Sequence, residues 1–186
     1  NGSRINIIIP ADIFKPRFDS LRSLYEKETL ERPDLLVMSI EFINDNDEVA
    51  LIRITPIEVK ARETTMSSMD RAKALKQASN FSKFLMDLKN KTYQNELWGV
   101  AWREMLVSWV DYGFRVYGEV RNIRETQPDW SQLHQTTIMG LMDRKIDIDI
   151  DEVGRLVSLE KGSHNQVLET GGQNFKDTII LSRISA

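Results

Sequence analysis

From Phe14 to Glu28 the apolar residues Phe14, Phe18, Leu21 and Tyr25 recur at the spacing of one helix face, and they predict a short amphipathic helix with Pro16 in its tolerant first turn. Arg32-Pro33 ends it. From Asp34 to Ile43 the period becomes two, with Leu36, Met38, Ile40 and Phe42 on one face, and after the polar cluster Asn44-Asp45-Asn46-Asp47 a second strand pattern runs from Val49 to Ala61. The pair predicts a hairpin. Pro56 lies inside its second strand and has no N–H for a ladder, so it requires an edge position, a bulge or a break.

Ser67 and Asp70 form a capping box. Behind it Ala74, Leu75, Ala78, Phe81, Leu85 and Leu88 trace one helical stripe as far as about residue 90. A second long helix is predicted from Tyr93 to Tyr117. It is apolar along two sides, Trp98, Trp102, Met105, Trp109 and Tyr112 on one and Leu97, Val100, Leu106 and Val110 on the other, so it is buried twice over or docks a partner. Beyond Gln127 the pattern gives a helix over Ser131–Met142, strands over Ile146–Ile150 and Gly154–Leu159, a glycine-rich loop at Gly171-Gly172 and a last strand over Thr178–Ile184. No internal repeat or low-complexity segment interrupts the series.

The chain has 186 residues, of which 41% are hydrophobic and 28% charged, with a net charge of −3 and no cysteine. A chain of this length buries roughly 70% of its unfolded surface, enough for a core without disulfides, and the composition opposes disorder. No apolar run reaches the roughly 18 residues of a membrane span, so a cytoplasmic protein is expected. His134 and His164 are too few and too far apart for a local histidine-based site. Chemistry must therefore come from carboxylates, Lys, Ser/Thr or Tyr. The opening Asn1-Gly2-Ser3 without Met, and the end at Ser185-Ala186 just after an apolar run, read as the bounds of a single domain excised from a larger protein.

Pro33-Asp34 stands at the start of one strand, and Glu58-Val59-Lys60 lies on the next. Glu58 and Lys60 are two apart and project from one strand face, and the 24 residues from Asp34 to Glu58 are what a hairpin needs to return beside its own start. Each motif alone is common; together, followed by a helix carrying Gln77, they resemble the PD-(D/E)XK nuclease superfamily. The resemblance implies a restriction-endonuclease-like α/β core, a mixed central sheet flanked by helices, over residues 14–90. Residues 91–186 would then be additional helices and strands. It further implies a Mg²⁺- or Mn²⁺-dependent site for phosphodiester hydrolysis. Asp34, Glu58 and the Val59 backbone carbonyl would supply hard oxygen ligands, and Lys60 would act on the attacking water. A salt-bridged Glu58–Lys60 pair at a strand end is the plainer alternative.

In RecB-like members a Gln on the following helix points into the site with an aromatic residue four positions later, here Gln77 and Phe81, although Phe81 lacks the hydroxyl of the usual Tyr. Gln77 could equally cap a backbone group. Glu28 is the candidate for the acid on the first helix, and Asp45, Asp47 and Glu48 read as turn solvation. Arg62, Arg71, Lys73 and Lys76 are candidates for holding DNA, with Lys83, Lys89 and Lys91 further along the helix; each also reads as ordinary solvated charge. The mildly acidic total implies that DNA affinity comes partly from partner domains. The resemblance extends to nuclease-like parts of bacterial DNA-defence proteins of the phosphorothioation-dependent restriction type, which carry an NTPase module. No Walker A motif lies in this chain. A domain of the same family that binds nucleic acid or a partner subunit without cutting is the alternative.

Overall fold

The computed structural model describes residues 3–23, 31–43, 48–121, 129–160, 167–172 and 175–180. In chain order these form β1 (Ser3–Pro10), a 3-10 turn (Ala11–Phe14), α1 (Lys15–Ser23), β2 (Leu35–Ile43), β3 (Glu48–Arg62), α2 (Ser68–Thr92), α3 (Glu96–Arg121), α4 (Trp130–Met142), β4 (Asp147–Ile150), β5 (Arg155–Glu160), β6 (Val167–Gly172) and β7 (Phe175–Ile180). The class is mixed α/β. A five-stranded sheet has the order β1-β2-β3-β4, with β5 also on β3, and β6 and β7 pair by themselves as an antiparallel hairpin. The four residues between β2 and β3 are too few for a parallel crossover, so these neighbours run antiparallel, whereas β4 and β5 both run parallel to β3. Among the described residues no helix is long and apolar enough to cross a membrane.

Strand β3 resolves the problem of Pro56. Its pairing with β4 ends at Ile54↔Ile150 and its pairing with β5 starts at Ile57↔Arg155, so the residue without an N–H stands where the partner changes. The strand continues through it for 15 residues. One face of β3 buries Ile52, Ile54, Pro56 and then Glu58, which puts a carboxylate where the alternation otherwise places an apolar side chain.

Contacts divide the chain into two compact units that interleave in sequence. In the unit formed by residues 1–9, 37–54 and 86–150, β1 alternates with Ile7 and Ile9 fully buried, a strand for which no element was expected. Helix α3 packs on it so closely that a Cβ at Gly113 would fall 2.2 Å from Ile7 Cγ2. Trp102, Met105, Leu106, Trp109, Val110 and Phe114 line the buried side of α3. The expected second apolar side is only partly covered, since Leu97 is 74% and Val100 41% exposed. Helix α4 folds back on α3: Trp130 Nε1 donates to the Phe114 carbonyl at 2.7 Å, and the Phe114 ring stacks on His134 with centroids 5.1 Å apart. Helix α4 ends in a Schellman turn, with Arg144 N–H donating to Leu141 and Lys145 N–H to Gly140. Arg144 at its C′ position has φ 60°, and among the described residues it alone is a non-glycine in the left-handed region, at a cost of about 1–2 kcal/mol.

The unit formed by residues 10–36, 55–85 and 151–186 holds α1, the start of β2, the end of β3, most of α2 and β5. Ser67 caps α2 as expected, its hydroxyl accepting from Asp70 N–H and donating to the Asp70 carboxylate. Below the cap, Phe18 of α1 meets Phe81 of α2 edge-on with centroids 5.0 Å apart, while Ala74 and Leu75 cluster with Met66 and Leu156 of β5. Gly154, with φ 71°, lets β5 begin hard against α2, where a Cβ would lie 2.7 Å from that of Ala78. The expected glycine-rich loop at Gly171-Gly172 is instead the end of β6, paired through Gly172↔Phe175.

Candidate active site

Asp34 is fixed from both sides of its backbone. Pro33 before it is buried, β2 begins directly after it, and its carbonyl accepts from Ala11 N–H at 3.0 Å. Its carboxylate oxygen Oδ2 accepts the Val59 N–H at 2.7 Å, taking the donor that a longer β2 would have bonded. The exposed Asp34 side chain therefore reaches the strand between Glu58 and Lys60. In an extended strand a residue's N–H and C=O leave on the same edge, so the Val59 carbonyl also faces Asp34.

Glu58 has no exposed surface. Its Oε1 accepts from Lys60 Nζ, while Oε2 is buried with no hydrogen-bond donor. Burial pushes the Glu58 carboxyl above its ordinary range; the hydrogen bond from Lys60 acts against this, the Asp34 charge adds to it, and the Lys60 charge and the Asp34 backbone act downward. Asp34 is thus near enough for its charge to be felt. The Lys60 side chain is one-third exposed, its stem against the sheet and its ammonium turned to the carboxylate. On β5, Leu156 and Ser158 stand opposite Glu58 and Lys60 and are fully buried, which closes that flank to water.

Gln77, half-buried on α2, donates from Nε2 to the Arg32 carbonyl at 2.6 Å. It clamps the segment two residues before Asp34, the backbone-capping option left open by its place on the stripe. Arg32 is anchored in turn by Asp19 at 3.1 Å. Sequence reasoning treated Arg32 only as a helix terminator, and its link to Asp19 had no signal because the partners come from separate elements. Arg62, Lys73 and Lys76 are exposed; Arg71 is half-buried, its Nε without a hydrogen-bond acceptor. Glu28 lies outside the described residues.

Set beside known protein families, curated protein sequences and solved structures, the chain finds no match in any of the three.

Among the described residues no three His, Cys, Asp or Glu side chains gather into a metal cluster. What the strands do bring together is two carboxylates and one backbone carbonyl. This donor set suits a hard divalent cation with open positions for water, and the orphaned Glu58 Oε2 is the atom such an ion would satisfy.

Proposed function

We propose that this chain is a metal-dependent DNA nuclease domain of the PD-(D/E)XK type. The carrying observation is the junction at Val59, where Asp34, just before β2, accepts from the β3 backbone between Glu58 and Lys60 and so stands beside the other motif residues. Asp34, Glu58 and the Val59 carbonyl would hold Mg²⁺ or Mn²⁺. When bound, the ion polarises a phosphodiester and acidifies a water. Lys60, whose ammonium stands at the Glu58 carboxylate, would orient the water and offset charge developing on the phosphoryl oxygens. Gln77 positions Asp34 through the Arg32 carbonyl. Arg62, Lys73 and Lys76 line up strand backbone phosphates. The family resemblance alone supports a setting in bacterial DNA defence beside an NTPase.

A second reading, a domain of this type that binds without cutting, is favoured by the Glu58–Lys60 pair, which already balances its own charge, and by the commitment of Gln77 to a backbone carbonyl. Plasmid and linear DNA cleavage in Mg²⁺ or Mn²⁺ separates the two. Wild type is expected to cut, and Lys60→Ala and Asp34→Asn to lose at least about a hundredfold in rate. Asn retains an acceptor for Val59 N–H, so an unchanged melting temperature excludes unfolding. DNA binding without cleavage by wild type would establish the second reading, and equal rates in all three proteins would remove the site.

A further inference from the structure

In the unit containing α3 and α4 a cavity of about 490 Å³ is lined by Lys89, Tyr93, Trp102, Arg103, Arg144 and Asp147, among others. That volume falls in the range of small-molecule sites. Its wall carries three cations, Lys89, Arg103 and Arg144, against the carboxylates of Glu96 and Asp147, in a chain whose net charge is −3. Lys89 Nζ gives one bond to the Ile148 carbonyl at 2.6 Å. The Arg103 guanidinium lies over Gly99, itself part of the wall, at 3.5 Å from where a Cβ would stand. Neither Arg103 nor Arg144 has a side-chain acceptor or ion pair among the described residues.

The turn that ends α4 sets Arg144 on this wall. The C′ position of a Schellman turn favours glycine, yet here it holds an arginine at φ 60° that lines the cavity. Two guanidinium groups without acceptors suit a phosphate, which each can bind through a fork of N–H donors. The aromatic residues complete the ligand's chemistry: the Tyr93 ring is 78% exposed at the wall and offers a planar face, and the Trp102 indole is 5% exposed deeper in.

We propose that this cavity binds a nucleoside phosphate, with its phosphates on Arg103 and Arg144 and its base against Tyr93. None of these residues belongs to the Asp34, Glu58 and Lys60 site, so the two assignments stand or fall separately.

Titration calorimetry of the whole chain in EDTA, with ADP, adenosine, pyrophosphate and a 5′-phosphorylated oligonucleotide as probes, tests it. ADP is expected to bind, adenosine to bind at least about tenfold more weakly, and Arg144→Gly and Arg103→Gln each to weaken ADP by about tenfold or more. Arg144→Gly should melt no lower than wild type, because glycine relieves the turn; Arg103→Gln leaves that turn untouched and gives the second readout. Lys60→Ala should bind ADP as wild type does. Unchanged ADP affinity in both arginine variants, adenosine as tight as ADP, or no binding of ADP at millimolar concentration would overturn the proposal. Binding of the oligonucleotide alone would overturn the mononucleotide assignment.

Discussion

Glu58 sits in the β3 series Ile52, Ile54, Pro56, where an ionised side chain is disfavoured unless a cation compensates it. Lys60 compensates one oxygen and leaves the other bare. Since the folded pKa lies above the ordinary value of 4.5, the native state keeps a proton over a window in which the unfolded chain has lost it. Stability therefore falls as pH rises from about 4.5 through the raised folded pKa and stays lower above it. In EDTA, Glu58→Gln is expected to melt like wild type at the acidic end and above it from there upward, the gain growing until the folded pKa is passed. Thermal melts across pH check this, and a gain that does not vary with pH would show that the carboxyl is not held protonated by burial. Adding Mg²⁺ should then raise the wild-type midpoint and leave the Gln variant unmoved, since only an ion bound to the native site stabilises it.

At the scale of elements, the α3 backbone at Gly113 leaves a Cβ less room than any other described glycine does, because Ile7 of β1 stands against it. Gly113→Ala gains helix propensity of about 1 kcal/mol, but its methyl cannot share space with Ile7 Cγ2, and overpacking of this kind costs about 1–3 kcal/mol. Net destabilisation is expected in wild type. In an Ile7→Ala background the same substitution should stabilise, because the clash is gone and the methyl refills part of the space. Denaturant melts of the four proteins measure the coupling, and additive effects would mean that α3 does not rest on β1 there. This contact also marks the limit of what the sequence discloses. Helix α2 was legible because its cap, stripe and length agree locally, β2 because its alternation is unbroken, and β3 because Ile52 and Ile54 alternate ahead of Pro56 and Glu58. Strand β1 was not, although Ile5, Ile7 and Ile9 alternate, because chain ends invite a reading as terminus. Pro56 announced a constraint without its solution, since the exchange of β4 for β5 is a non-local event. The spacing of Asp34, Glu58 and Lys60 could be read directly, whereas the Val59 N–H to Asp34 bond and the clamp by Gln77 depend on register. Arg144 gave no sign, because a positive φ follows from how α4 stops.

For the molecule as a whole, the governing quantity is a net charge of −3 on a chain proposed to act on a polyanion. Long-range attraction is then weak, and binding must come from a few local cations. Arg62 at the end of β3 and Lys73 and Lys76 in the first turns of α2 are exposed and cluster in the chain around the Glu58–Lys60 strand. Lys73 and Lys76 share a helix face by their spacing of three. If these three side chains contact duplex phosphates, each releases counterions, and the logarithm of affinity falls with the logarithm of salt by about 0.9 per contact. The triple variant Arg62→Gln, Lys73→Gln, Lys76→Gln is therefore expected to bind duplex DNA more weakly at low salt. Its salt slope should be shallower by about 2.5 to 3. Fluorescence anisotropy from 25 to about 200 mM salt, in EDTA so that no strand is cut, gives the slope. An equal slope in wild type and triple variant would place DNA elsewhere on the chain, and the two arginines of the α3–α4 cavity would then be the next cations to test.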